Sequence, residues 1–504
     1  MLRAGYEVLS VVLLIGCFIL LEAYGLGFYP LPWKDESWLM QPAYELAEHG
    51  RIALPMFRHL GNSVDERIYT DPVFTLLLAG WFKLFGFGMT VARAFNLLFG
   101  CGVLVLVFLL CRELIAVSSK HRYFAVLAVA LLVFDNNFFT CSRFLRNDLT
   151  CLFFCLLSSY FYLCYRGWPT GFVSGLSAAL AVLSHLNGLY QFVLLGLWTL
   201  LDDGVSFFKR PRAWALAAGI CLIMLPYVAV VYNNRVEYLA QWNLFSKGRA
   251  RGITPEGMVQ NFTGEYKRYR DWNYGVMVGT NHAVTLFKLF TLFSGLYLTV
   301  AVVLGRHKSR QYPQAHLLLA CIWIALFFAF EVTNKTHSYL PHLTVWFAQA
   351  VAVTFANLAA YIDDLKSRLK VVFSCVLVLS LGLYFAAAVA LPISHFRYAR
   401  TLDSSEYEYF VAKFRQLANG HTLVASPRHW YLFYYDRRFL AFSKKLAKRL
   451  LEGYLADESL LLVLNEREQR KLKSLNTTTA VCRLEFVADF DSPYGRLAVY
   501  KRNF

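Results

Sequence analysis

Two adjacent acids, Asp35 and Glu36, follow the first long apolar stretch of the chain, where that stretch should leave a membrane. Acids are expensive in hydrocarbon, so acids kept at its edge are candidates for chemistry. A carboxylate placed there can take the proton of a hydroxyl group as its oxygen becomes a nucleophile. The same pair can instead cap the helix expected over 37–49, whose Trp38, Leu39, Pro42, Ala43, Leu46 and Ala47 form an apolar stripe suited to a bilayer interface. A second constellation is Arg143-Phe-Leu-Arg146-Asn-Asp148. On one helix Arg143 and Arg146 share a face, and two guanidinium forks can hold a phosphate while Asp148 orients an arginine or a sugar hydroxyl. The structural alternative has Asp148 capping a helix and the arginines reaching out to water.

Single residues of the same kind recur along the chain. Asp71-Pro72 closes the first polar loop and reads as a turn or as a further acid at the site. His185 stands near the end of an apolar helix, and Lys335-Thr-His-Ser-Tyr339 joins two later ones with a lysine and a tyrosine fit to grip a phosphate. Lys267-Arg268-Tyr269-Arg270 is a basic-aromatic run suited to lipid head groups or to a donor site. His185, His282, His337 and His342 lack the spacing of a ligand pair, so no metal site is expected. No cofactor is implied with certainty; a divalent cation stays open.

These residues need a frame, and the composition supplies one. Of 504 residues, 57% are hydrophobic and 17% aromatic, with a mean hydropathy of +0.43. A chain this apolar is a multi-pass membrane protein. Segments long enough to cross as helices fall at 6–28, 88–111, 123–141, 149–165, 170–185, 189–207, 213–233, 283–304, 314–331, 340–362 and 370–392, about eleven spans. The first is read as a retained anchor, since no small-residue cleavage site follows it. Segment 73–86 is apolar but short, and is expected to re-enter or lie along the surface.

Lysine and arginine give the orientation. Arg112/Lys120/Arg122, Arg166, Lys209/Arg210/Arg212, Arg306/Lys308/Arg310 and Lys366/Arg368/Lys370 occupy alternate short loops, which places those loops in the cytoplasm. Asp35, Asp148 and the long loops 29–87 and 234–282 then face outward. The net charge of +17 is explained by lipid head groups, and no motif for reading nucleic acid accompanies it. Of the 11 cysteines, all but Cys482 lie in or beside apolar spans, a pattern of small hydrophobes rather than a disulfide framework. The domain division is a membrane module over 1–392 and a soluble outer α/β domain over 393–504. In the latter, Leu423–Ala425, Leu460–Leu464, Ala480–Phe486 and Leu497–Lys501 read as strands, with helices near 404–420, 443–456 and 465–474.

Taken in order, the motifs resemble those of GT-C type membrane glycosyltransferases, above all the protein O-mannosyltransferase and lipid A aminoarabinose transferase branch. Asp35-Glu36, His49-Gly50-Arg51, Tyr69-Thr-Asp71-Pro72 and Lys83-Leu-Phe-Gly86 are similar to the first loop of that branch. Arg93-Ala-Phe-Asn96 is similar to its Arg-x-x-Asn, Arg143 with Asp148 to its Arg-x4-Asp, Leu183-Ser-His185 to its Leu-Thr/Ser-Lys, and Lys335 with Tyr339 to its late Lys-x3-Tyr. The resemblance spans about residues 30–345. It implies a mainly α polytopic fold of GT-C type with a small extracytoplasmic α/β domain, in the bacterial inner membrane with its active face periplasmic. It also implies transfer of a sugar, with inversion, from a polyprenyl-phosphate donor to a glycan, lipid or protein hydroxyl. Asp35 would be the general base and Asp148 would support it. Arg143, His185, Lys335 and Tyr339 would surround the donor phosphate, with Glu36 and Asp71 beside them. Tyr69-Thr-Asp71-Pro72 stands where the aminoarabinose transferases have Glu-Lys-Pro-Pro, and His185 where a lysine is common, so neither sugar nor acceptor is implied. A transporter or flippase of lipid-linked saccharides, a glycan polymerase or ligase, and a non-catalytic scaffold are the competing readings. Against a transporter stands the lopsided layout, with long loops and a domain on one face and no repeated halves.

Overall fold

A computed structural model describes residues 2–60, 64–115, 119–245, 254–271, 281–303, 313–331, 339–363, 365, 367–390, 393, 397, 404–418, 420–433, 438–451, 459–474, 483–493 and 496–503. The membrane module is built from apolar helices at Leu2–Ala23 (α1), Met89–Leu114 (α4), Ala125–Val133 (α5), Asn136–Arg143 (α6), Asn147–Cys164 (α7), Trp168–Ser184 (α8), Leu189–Asp203 (α9), Pro211–Asn233 (α10), Asn281–Val303 (α13), Pro313–Phe330 (α14), Pro341–Asp363 (α15) and Ser367–Ala388 (α16). Between α1 and α4 lie Lys34–His49 (α2) and Pro72–Phe85 (α3), and between α10 and α13 lie Arg235–Phe245 (α11) and Pro255–Asp271 (α12). Nine helices among the described residues are long and apolar enough to cross a bilayer, or ten if one bent pair counts as a span, against the eleven expected; the span expected over 170–185 falls in the shorter helix Trp168–Ser184.

One expected span is broken. The stretch 123–141 consists of two helices, Lys120–Val133 and Asn136–Arg143, bent by 64°. The cause is local: the buried Asp135 accepts a hydrogen bond from the Phe138 N–H at 2.7 Å and so starts a new helix inside an apolar run. Elsewhere small residues set the packing. A Cβ on Gly175 would collide with the Leu216 carbonyl and one on Gly219 with that of Phe172, so α8 and α10 meet backbone to backbone.

The tail forms a five-stranded sheet in the order β2-β1-β3-β5-β4, with β1 Thr422–Ala425, β2 Leu440–Ala441, β3 Leu460–Asn465, β4 Arg483–Phe490 and β5 Leu497–Asn503. β1 pairs in parallel with β2 and β3, while β5 runs antiparallel to β3 and β4. Helices Ser404–Ala418 (α17), Lys444–Leu451 (α18) and Glu466–Lys473 (α19) accompany it. The sheet sits on the first loop: Met40, Ala43, Phe74 and Phe82 share one core with Phe414, Trp430, Leu432 and Phe433. Trp430 packs edge-on against Tyr44 at 6.0 Å and Phe87 at 5.8 Å. The apolar stripe of α2 is therefore partly covered by α3 and by the turn Pro427–Leu432, with Ala43 fully buried, where an interfacial helix was expected.

Candidate active site

A cavity of about 200 Å³ opens at the sheet-bearing end of the helices, lined by Asp35, Trp38, Leu39, Thr70, Asp71, Arg146, Asn147, His185, Trp242 and Tyr339. Five residues singled out from the sequence meet there: Asp35, Asp71, Arg146, His185 and Tyr339. Asp35 lies in the first turn of α2 and Asp71 immediately precedes α3, in the left-handed region with φ 50°. His185 closes α8, where its Nδ1 accepts the Asn187 N–H at 3.0 Å. That bond leaves Nε2 to carry the proton of the neutral ring.

Arg146 is the cation of this cavity. Its Nε donates to Asp148 Oδ2 at 2.6 Å, and its Nη1 lies 3.5 Å from Asp35 Oδ2. The guanidinium is 5.3 Å from the Trp33 ring centre and 5.5 Å from that of Tyr339, so two aromatic faces hold it in place. Burial works against the Arg146 charge, but Asp148 and Asp35 outweigh it and raise its pKa. Asp148 is buried behind the arginine, with His185 Nε2 4.0 Å and His342 Nε2 3.9 Å from its other oxygen. His342 Nδ1 is in turn 3.1 Å from the Tyr190 hydroxyl.

Arg143 takes another role from the one expected. It is fully buried against the end of α1, donating to the carbonyls of Glu22 at 2.6 Å, Tyr24 at 2.7 Å and Tyr29 at 3.0 Å, with the Glu22 carboxylate at 3.4 Å. It does not line the cavity, where Arg146 stands instead. The expectation failed because it placed both arginines on one helix. Arg143 ends α6, Phe144 and Arg146 are extended, and α7 begins at Asn147, so the two side chains point apart.

Glu36 is also structural. Its carboxylate pairs with Arg93 through Nε at 2.8 Å and Nη2 at 2.9 Å, and accepts the Leu145 N–H at 3.0 Å and the Trp33 N–H at 2.8 Å. Asn96, one turn along α4, donates to the carbonyls of Cys141 at 2.9 Å and Phe144 at 2.6 Å. Arg93 and Asn96 thus pin the extended link that presents Arg146. Asn147, Thr70, Trp33 and Trp242 were not anticipated as parts of the site. Lys335 and His337 lie outside the described residues, as do the side chains of Lys267, Arg268, Tyr269 and Arg270. Among the described residues no group of three or more His, Cys, Asp or Glu side chains is placed to hold a metal ion, and no step is assigned to one.

The α-helical membrane module, the first loop and the sheet that caps it define a multi-pass integral membrane protein of the GT-C glycosyltransferase fold. A sequence profile for the family described as dolichyl-phosphate-mannose-protein mannosyltransferase matches residues 43–245. That segment holds Asp71, Arg146, Asp148 and His185 and begins after Asp35. ArnT from Cupriavidus metallidurans, solved bound to undecaprenyl phosphate, is similar over 97% of this chain and 97% of its own, with TM-score 0.60 and 14% identity. The Archaeoglobus fulgidus oligosaccharyltransferase tethered to an acceptor peptide is similar over 98% of this chain and 74% of its own, with TM-score 0.58 and 13% identity. The archaeal oligosaccharyltransferase AglB from the same organism, in complex with an inhibitory peptide and a dolichol-phosphate, gives TM-score 0.55 at 13% identity over 99% of this chain and 74% of its own. No curated protein matches by sequence. The GT-C fold expected from the motifs is the fold found.

Proposed function

We propose that this chain transfers a sugar from a polyprenyl-phosphate-linked donor to a hydroxyl acceptor on a glycan, lipid or protein, with inversion at the anomeric carbon. The observation that carries the reading is the pairing of an accessible carboxylate, Asp35, with the caged guanidinium of Arg146 in one cavity. The acceptor oxygen attacks the anomeric carbon as its proton passes to Asp35. The bond from that carbon to the phosphate oxygen breaks, and its electron pair stays on the phosphate. Arg146 and the N-terminus of α7 face the negative charge that grows there. Asp148 keeps Arg146 turned to the cavity, His185 and Tyr339 complete its wall, and Asp71 closes the acceptor side. Lys335, expected at the phosphate from its motif, is a further cation for this role. The carrier tail stays in lipid, so membrane anchoring meets part of the positioning cost. Purified protein in proteoliposomes is expected to consume a polyprenyl-phosphate sugar and release polyprenyl phosphate once acceptor is present. Movement of intact donor across the bilayer without cleavage would instead establish a flippase. Mass analysis of the envelope with and without the protein identifies the acceptor.

The pH profile is a direct consequence. Burial raises the Asp35 pKa, and the nearby Arg146 and Lys34 only partly offset it. A base works deprotonated, so kcat/KM should fall as the pH drops through that raised value, at higher pH than for an ordinary aspartate. An acid limb at the usual aspartate position would count against Asp35.

The active end is proposed to face the periplasm of a bacterial inner membrane, because among the described residues Arg112, Lys120, Arg166, Arg210 and Lys370 lie at the other end. A cysteine in place of Glu466, on the sheet domain, should react with an impermeant label in intact cells. One in place of Arg210 should react only after permeabilisation. The reverse pattern overturns this orientation.

A further inference from the structure

Two polar side chains that line the Asp35 cavity have no part in the proposed transfer, Thr70 and Asn147. Asn147 opens α7 immediately after Arg146 and is only 5% exposed. Its Nδ2 donates to the Ser184 carbonyl at 3.3 Å, which ties the start of α7 to the end of α8. A carbonyl can only accept, so the nitrogen of the amide faces Ser184 and the oxygen is the end left over. Among the described residues Oδ1 accepts no hydrogen bond, yet it is not sealed in the interior, since the residue borders the cavity. Tying two helices together accounts for the nitrogen and not for the oxygen. An acceptor this deep without a partner costs stability, and a hydroxyl in the cavity would offset that cost. The Thr70 hydroxyl also bonds to no described residue, but it can donate or accept and so imposes less on a ligand.

We propose that Asn147 Oδ1 selects the donor sugar by accepting a hydrogen bond from the hydroxyl on the carbon next to the anomeric centre. The inference rests on the transfer reading above, in which Arg146 faces the donor phosphate. Asn147 is the next residue in the chain, so it meets the part of the sugar nearest that phosphate. The anomeric carbon has two neighbours in the sugar ring. One is the ring oxygen, which can only accept and offers nothing to an amide oxygen. The other carries a hydroxyl, the nearest donor to the phosphate. A hydrogen bond from that hydroxyl strengthens as positive charge grows at the anomeric carbon, so it favours transfer as well as binding. The donor class is therefore a polyprenyl-phosphate sugar with this hydroxyl free, and the 2-deoxy counterpart is a poor ligand.

Binding to the full-length protein tests it, with polyprenyl phosphate of one chain length bearing mannose, glucose, 2-deoxyglucose or no sugar. Mannose and glucose differ only in the direction of the hydroxyl in question, and 2-deoxyglucose is the deoxy form of both. One of the two epimers should bind about tenfold more tightly than the 2-deoxy ligand, the scale of one hydrogen bond to a nearly buried group. In Asn147→Ala that preference should shrink to about threefold or less, with the sugarless carrier bound as tightly as by the parent. Equal binding of the three sugar ligands by the parent, or a preference that survives Asn147→Ala, overturns the proposal. Loss of the sugarless carrier as well marks a damaged cavity in the variant, and the comparison of ligands on the parent then decides. Failure of the parent to bind any of the four ligands would instead remove the transfer reading itself, and this inference with it.

Discussion

Asp35→Asn is expected to lower turnover by roughly 10²–10⁴-fold, the usual scale for a positioned base, with donor binding largely kept. The substitution keeps size and most hydrogen bonding but removes the ability to take a proton. Asp35 sits in the first turn of α2, where losing a negative charge costs only a few tenths of a kcal/mol of helix stability. The loss of activity should therefore not reflect unfolding. Asp71→Asn is the matched control, because asparagine adopts the left-handed backbone of residue 71 as readily as aspartate. Its effect should be smaller, and the acid limb of the pH profile should survive it and vanish in Asp35→Asn. Single-turnover measurement of sugar transfer, with donor binding measured separately, checks all three statements. If the order of the two variants is reversed, Asp71 is the base. If Asp35→Asn loses donor binding and turnover equally, Asp35 binds the donor rather than catalysing.

The membrane frame was legible because hydrophobic runs of about twenty residues have few alternatives to helix in lipid. The tail strands were legible where burial is continuous, as in β3 at Leu460–Asn465, and not where a strand is two residues long, as in β2 at Leu440–Ala441. What the pattern hid was the polar interruption at Asp135-Asn136-Asn137, submerged in apolar neighbours yet able to restart the helix. The break carries through to the site. With α6 ending at Arg143 and α7 starting at Asn147, the extended link sends Arg143 into the core and Arg146 into the cavity. A spacing argument on one helix treats these arginines as equivalent, and only the backbone between them tells them apart. Asp135 beside two asparagines is the signal that could have found the break, since such residues favour caps over helix interiors. The partner of Arg143 was hidden for a similar reason. Glu22 lies more than a hundred residues away, inside what reads as a plain anchor, and only tertiary contact reveals it.

Asp35 and Glu36 are neighbours in sequence with opposite duties, and their variants should separate cleanly. Glu36→Ala leaves the fully buried Arg93 guanidinium without its carboxylate and strips the acceptor from the Leu145 N–H. Removing one partner of a buried ion pair typically costs about 3–5 kcal/mol, because the remaining charge stays desolvated. The temperature at which half the protein remains monodisperse in detergent should fall sharply in Glu36→Ala and stay near the parent value in Asp35→Asn. Glu36→Gln should fall between them, since glutamine keeps an acceptor for Leu145 but turns an amide toward Arg93. Any activity lost with Glu36 should follow the loss of fold, because Glu36 acts by pinning the link that presents Arg146 and does not line the cavity. A Glu36→Ala protein as stable as the parent but inactive would show that the carboxylate has chemistry of its own, and the division of labour between the two acids would have to be redrawn.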